Sequence, residues 1–294
     1  MASSIQSKTI GGALPSIDAR PVTIIRAPSV SPFGLIKNLT ELAHYRDLLY
    51  TLTVHRIKVR YKQSLLGGAW AVIQPLSMML IFTLVFSLIA RVPSDGAPYA
   101  LFAYVALLAW NCFSTAIANS TAGLVSHSQL VTKVYFPREI LPLTYVLAAL
   151  FDFLIASSVL AVLMLYYGVP LTLNALYALP IILVLALLAT AIALLLSATQ
   201  ARFRDVGVAV PLVLQLWMFA TPIIYPLSAV PARFRPLYLF NPMVGVIENF
   251  RRVILRCAPP DFNSLGTSAF TAALLLIASY IYFKRVEATM ADII

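Results

Sequence analysis

From about residue 67 onward, long apolar runs alternate with short polar breaks, and this pattern dominates the chain. About 20 apolar residues cross the hydrocarbon core of a bilayer as one helix. Six runs qualify, at about 68–90, 99–121, 141–167, 176–198, 206–225 and 265–283. A loop holding Arg91 and Asp95 joins the first two, Gly168-Val169-Pro170 breaks the third from the fourth, and Lys284-Arg285 closes the sixth. After the fifth run, Pro222, Pro226, Pro231 and Pro236 forbid one straight helix. They predict a re-entrant segment, a backbone tolerated at membrane depth only inside protein or beside a watery cavity. Asn241-Pro242 then reads as an N-cap followed by proline at the first helical position. Val244, Ile247, Phe250 and Ile254 recur at helical spacing, with Glu248 and Arg252 on the other side, so an amphipathic helix is expected at the outer surface. The expected fold is all-α and integral to the membrane: a six-helix domain over 67–284, with an outer re-entrant or gate region over 222–256.

Ahead of the first span a different periodicity appears. Leu35, Leu39, Leu42, Tyr45, Leu49 and Leu52 hold a helical period, and Val54, Ile57, Tyr61 and Leu65 continue it out of phase, interleaved with His55, Arg56, Lys58, Arg60 and Lys62. Apolar positions beside long basic side chains predict an amphipathic interface helix over 39–66, lying in the headgroup layer. The alternative is a solvated helix that only carries charge. Residues 1–38, interrupted by Pro15, Pro21, Pro28 and Pro32, have no signal-peptide core and read as a flexible cytoplasmic tail.

Composition agrees with the pattern. Of the 294 residues 61% are apolar and 11% charged, where a soluble domain carries about 25% charge. The formal charge of +10 is explained by topology and anionic headgroups, with no nucleic-acid partner required. Nine of the 21 Lys and Arg precede the first span, two follow the second, two follow the fourth and two close the sixth. The positive-inside rule then puts both termini in the cytoplasm. Five of the six remaining basic residues, Arg233, Arg235, Arg251, Arg252 and Arg256, fall in the outer loop before the last span.

Candidate chemistry is sparse. Cys112 and Cys257 share no ligand spacing with histidine, so no metal site is expected. No phosphate-binding Gly-rich loop occurs, so the chain has no means of binding ATP by itself and no catalytic residue is expected. His44, His55 and His127 read as surface residues. Asp152, roughly 15 Å into the third span at ~1.5 Å per residue, is costly there unless it faces the bundle interior. Either it lines a polar conduit or it bonds a hydroxyl on a neighbouring helix. The 126–140 loop is too polar for the bilayer and too apolar for a solvated loop. Lys133, Arg138 and Glu139 flank Tyr135-Phe136, and Pro137 forces a turn, a composition suited to docking on a cytoplasmic partner. Arg202, Phe203, Arg204 and Asp205 would sit beside it. The competing reading is that both loops only anchor spans to headgroups.

Several motifs, in this order, resemble one family. Arg60-Tyr61-Lys62-Gln63-Ser64-Leu65-Leu66-Gly67 with Trp70 and Gln74-Pro75, then Val134 through Pro142, Arg202 through Asp205, and Asn241-Pro242 resemble permease subunits of type 2 ABC exporters of polysaccharides. The likeness runs from about Leu39 to Lys284. It implies a homodimer in the bacterial inner membrane, paired with two copies of a separate ATPase that binds ATP and Mg. The cargo would be a lipid-linked glycan such as O-antigen. Lys133 and Tyr135 to Glu139, backed by Arg202 to Asp205, would couple to the ATPase. Arg56, Arg60, Lys62, Trp70, Phe82, Phe86, Asp152, Trp217, Phe219 and Tyr225 would belong to the substrate path, although aromatics in spans also serve as packing. Pro222, Pro226, Asn241, Pro242, Arg251 and Arg252 would shape the outer gate. The alternatives are a permease for a smaller amphiphile (drug, haem or lipid) and a membrane enzyme acting on lipid-linked sugars, which would need clustered carboxylates or histidines that the sequence lacks.

Overall fold

The computed structural model describes residues 40, 42–62 and 67–293; the expected tail, and Leu39, Glu41 and Gln63 to Leu66 of the expected interface helix, lie outside the described residues. Within them the chain forms helices and no strand. Helix α1 is Arg46–Lys62; α2 is Trp70–Phe82, led in by a 3-10 turn at Gly67–Ala69 and prolonged by a π-helical stretch at Thr83–Ile89. Helix α3 is Tyr99–Ser126, α4 the short Ser128–Lys133, α5 Ile140–Tyr166 and α6 Ala178–Arg202. Then come α7 at Val206–Phe219, α8 at Arg235–Leu239, α9 at Pro242–Ile254 and α10 at Phe262–Ile293.

Among the described residues, five helical stretches are long and apolar enough to cross a membrane: Gly67–Ile89, Tyr99–Ser126, Ile140–Tyr166, Leu173–Arg202 and Phe262–Met290. The expected fifth run yields only α7, 14 residues, about 21 Å at 1.5 Å per residue. Its helix stops at Phe219, before Pro222, because proline cannot donate to the preceding turn. The last helix runs longer than its apolar core suggested. Phe283, Val286 and Met290 keep the helical period past Lys284 and are buried.

Helix α3 is the axis of the bundle. From Leu101 to Ala109 every residue is at most 2% exposed except Phe102 at 3%, and α5 and α6 pack along it. Ala103, Ala106, Ala109 and Ala116 let those backbones come close. Tyr104 donates its buried hydroxyl to the Ala156 carbonyl at 2.9 Å, satisfying the polar tip of a large side chain. At the end of α5, Gly168 takes φ +68°, and Val169 N–H reaches back to Met164 O at 2.9 Å, a left-handed helix stop.

The end of the bundle carrying residues 126–140 is called the lower end below, and the end carrying residues 91–98, 227–230 and 255–261 the upper end. A separate apolar cluster holds the lower end together: Leu124 of α3, Val131 of α4, Phe136, Ile140 and Leu141, Leu194 and Ala198 of α6, and Phe283 and Met290 of α10. Tyr45, just before α1, and Leu49 and Leu52 of α1 pack against it.

One expectation is corrected here. Helix α9 is not a surface helix with one wet face; Pro242 through Ile247, Asn249, Phe250, Arg251, Val253 and Ile254 are all buried. It packs against α3, α6 and α10. At Gly245 an added Cβ would collide with Ser268 Oγ and lie 2.7 Å from Ser264 O, so the absent side chain lets α9 seat on α10.

Candidate functional site

The lower end presents the 126–140 segment in two parts. Lys133, Val134 and Tyr135 are exposed, Tyr135 by 58%, and so are Arg202, Phe203, Arg204 and Asp205 beyond α6, with Phe203 at 56%. Apolar side chains standing out among charges at the end of a bundle suit a docking face. Phe136, Pro137 and Glu139 are buried instead. Phe136 anchors the segment in the lower cluster. Glu139 accepts from Lys284 Nζ at 2.8 Å and from Tyr280 Oη at 3.3 Å. Lys284 also reaches Glu287 at 2.8 Å. Arg138 donates its backbone N–H to Glu287 Oε1 at 3.1 Å and its guanidinium to the Glu287 carbonyl at 2.6 Å. Arg138 and Glu139 therefore fasten the segment to α10. Burial, then the neighbouring Glu287, push the Glu139 carboxyl above the usual carboxylate range, with Lys284 opposing.

A second constellation joins α1 to α5. Asp152 is bonded by the Arg60 guanidinium and the Tyr61 hydroxyl. One turn earlier on α1, Arg56 donates to Thr144 Oγ1 at 2.5 Å and stacks 3.5 Å from the Tyr145 ring centroid. That ring fits because Gly123 on α3 offers no Cβ to block it. Burial holds the Arg56 guanidinium below its ordinary value, with Tyr145 opposing. Burial and the Asp152 bond raise the Tyr61 phenol to about 12. Asp152 lines a cavity of about 220 Å³ together with Gly67 and Trp70, the first residues of the first span, and with Gln74, Asn111, Cys112 and Thr115. Asp152 thus lies between the entry of the first span and the middle of α3, where Asn111 and Cys112 sit. Asp152 is therefore hydrogen-bonded to a hydroxyl of a neighbouring helix and also lines this cavity. Asn111 Nδ2 is buried there without a protein partner. A wider cavity of about 420 Å³ adjoins it through Arg60 and Asp152 and is lined also by His55, Arg56, Asn119, His127 and Tyr145. Lys62 is exposed beside it.

The aromatic candidates separate by burial. Trp70 and Phe219 are each 52% exposed. Phe82 is buried and meets Phe86 edge-on at 5.6 Å. Trp217 packs edge-on against Phe113 at 5.1 Å and donates to Asn241 Oδ1 at 3.1 Å. Tyr225 bonds Tyr238 at 2.7 Å between hydroxyls. Trp70 and Phe219 are thus the exposed members of this set, Phe82 is a packing residue in this structure, and Trp217, half-buried, lines a cavity of about 480 Å³ with Tyr238 and Asn241.

At the upper end Asn241 is a hub. It caps α9 through Met243 N–H at 3.1 Å, accepts from Trp217, and donates to Thr221 Oγ1 at 2.9 Å. Pro222, Pro226 and Pro242 are buried around it. Arg251 is 2% exposed. Its guanidinium donates to Pro222 O and Ile223 O at 2.6 Å each and to Phe102 O at 3.3 Å, and meets Glu248 at 3.2 Å. It serves the carbonyls left without helical partners where the chain breaks after α7. Arg252 instead bonds Pro259 O at 2.7 Å.

Sequence reasoning took Lys284 only as the close of a span and missed Glu287, although their three-residue spacing marks a helical pair. It also set aside His55 and His127, which line the wider cavity. Among the described residues no group of three or more His, Cys, Asp or Glu is placed to hold a metal ion.

Residues 47–255 match the family model described as ABC-2 type transporter. The O-antigen export system permease protein RfbA of Myxococcus xanthus is 33% identical over 256 residues, covering 86% of this chain and 98% of that protein. A Klebsiella pneumoniae protein of the same name is 28% identical over 260 residues, 88% of this chain and 99% of that protein. Multiple apolar helices, an apolar-aromatic segment at one end and a family match over most of the chain agree: this is a multi-pass membrane protein belonging to the ABC-2 type transporter family.

Proposed function

We propose that the chain is the channel-forming permease subunit of an ATP-driven exporter that moves lipid-linked polysaccharide, O-antigen foremost, across the bacterial inner membrane. The observation that carries the reading is the similarity to O-antigen export permeases over nearly their whole length. In this reading two copies of the chain pair with two copies of a cytoplasmic ATPase, which holds the ATP and Mg; the chain itself performs no covalent chemistry. The lower end faces the cytoplasm, with both termini, as the distribution of Lys and Arg supports. Lys133, Val134, Tyr135 and the Arg202 to Asp205 turn form the ATPase-docking face, while Phe136, Arg138 and Glu139 hold that face on the bundle.

Helix α7 is the fifth of six crossings, completed by the Pro-broken chain after Phe219. Residues 222–256 form the re-entrant outer gate. The contacts of Asn241 with Trp217, and of Arg251 with Phe102 near the upper end of α3, support a helix α9 that rises from within the bundle to its outer face. Helix α1 with its Arg56, Arg60 and Lys62 faces the inner headgroup layer, where the anionic carrier of the glycan waits. Trp70 and Phe219 stack on sugar faces along the path. ATP binding closes the partner dimer, the docking faces move, and the two permease halves part for the glycan.

Deleting the gene and measuring surface polymer together with the lipid-linked precursor in the same cells tests the proposal. Loss of surface polymer with precursor accumulating inside is the expected result. Unchanged surface polymer refutes the polysaccharide assignment.

A further inference from the structure

The docking segment and the upper helix α9 are far apart, yet one continuous element touches both. Helix α10 carries Lys284 and Glu287 at its lower end, where Lys284 Nζ lies 2.8 Å from the carboxylates of both Glu139 and Glu287, and Arg138 is bonded twice to Glu287. Glu139, Lys284 and Glu287 are 1%, 6% and 9% exposed. Charges so little exposed are costly to separate, because parting them leaves each unpaired away from water. At its other end α10 presents Ser264 and Ser268 to Gly245 of α9, with no room for even one added methyl. Between Ser264 and Glu287 the helix is unbroken and contains no proline, a rod of roughly 35 Å at about 1.5 Å per residue.

We infer that Lys284 and Glu287 are positioning residues that clamp the 126–140 segment to α10, so that α10 carries displacement of that segment to the gate helix α9. The inference rests on the proposed export function for the source of the displacement. A clamp that slid would absorb the stroke. Here the segment is held by an ion pair, a backbone N–H bond and a guanidinium bond, all on one turn of α10. At the far end the close seat at Gly245 leaves α9 no slack along the rod. Interfaces packed in this way shift as units rather than deforming continuously. Coupling along such a route is established only when softening it changes the response at the far end.

The chain supplies its own reporter. Cys257 lies just past α9, with its thiol 3.3 Å from Pro170 O, partly accessible at the upper end, whereas Cys112, the other cysteine, is buried. The experiment uses the complete exporter in nanodiscs, with site-resolved maleimide labelling of Cys257 measured with and without a non-hydrolysed ATP analogue. Wild type is expected to change its labelling rate at least threefold. Two variants test the route: Lys284→Gln with Glu287→Gln removes the clamp, and Ala273→Gly with Ala278→Gly softens the middle of the rod on its exposed side without touching either end. Both are expected to lower the nucleotide response to less than half of the wild-type change. If the clamp variant does not assemble, the glycine pair alone decides. A full nucleotide response in the glycine pair, or none in wild type, overturns the inference. Polymer export measured in cells carrying the same wild-type exporter judges the proposed function separately.

Discussion

Replacing Arg251 by methionine keeps most of the side-chain volume and removes the guanidinium. Two bonds of 2.6 Å, to Pro222 O and Ile223 O, are lost, with a longer one to Phe102 O and the contact to Glu248. Hydrogen bonds to a charged group contribute about 1.5–3 kcal/mol each, so the two short ones alone account for about 3–6 kcal/mol. Arg251 is 2% exposed, so solvent screening offers little discount. Removing one member of a buried charged pair costs about 3–5 kcal/mol by itself, which falls within the same range. The carbonyls at Pro222 and Ile223 have no helical N–H to replace the guanidinium, because the helix has already ended. At about 2–4 °C per kcal/mol, the Tm of detergent-purified protein in a thermal-shift assay should fall by roughly 6–24 °C for Arg251→Met. Arg251→Lys, which keeps the charge but loses the planar fork that reaches two carbonyls at once, should fall by about half as much. A shift under about 2 °C for Arg251→Met would refute the view that this arginine holds the break after α7.

Other outcomes follow from the same geometry. Tyr135→Ala should leave thermal stability within about 0.5 kcal/mol and abolish surface polymer, whereas Phe136→Ala should cost about 3–5 kcal/mol; equal stability losses would contradict the division of that segment into exposed and anchored parts. Asp152→Ala should cost only about 1 kcal/mol, because Arg60 is 41% exposed and screened, and the exchange Arg60→Asp with Asp152→Arg should recover part of it, as a double-mutant cycle would read. His127 is held below its ordinary 6.5 chiefly by burial, with Arg56 and His55 adding repulsion and a bond to Gly123 O opposing. Its unfolded form therefore takes up the proton first as pH drops. Its stabilising contribution is complete above about 6.5 and is lost as pH falls through the lower folded value. Thermal scans in detergent between pH 7.5 and 5 should show this fall, and His127→Gln should flatten it.

The apolar runs were legible as helices because a bilayer admits few other ways to satisfy the backbone. Their period and length located Ile140–Tyr166 and the start of Tyr99–Ser126 nearly to the residue. The Asn241-Pro242 cap was readable for the same local reason, since both residues act within one turn. What sat around that turn was not. Val244, Ile247, Phe250 and Ile254 gave α9 one apolar face, and nothing local said that Gly245, Asn249 and Arg251 would also be covered, by Ser268, the α10 backbone and the chain break after α7.

Charges gave the same lesson twice. Asp152 could be expected to bond a hydroxyl but not assigned its partners, because Arg60 and Tyr61 are about 90 positions away in sequence, and Glu139 looked like a docking charge because Lys284 is 145 positions away. The sequence by itself determined that the chain is helical and membrane-bound, without a phosphate loop, and it placed the aromatic segment between the second and third apolar runs, since these depend on hydrophobicity, length and local spacing. Which charges are paired, which aromatics keep an open face and which helix reaches both ends of the molecule were decided only by the tertiary structure, because each depends on side chains brought together from distant parts of the chain.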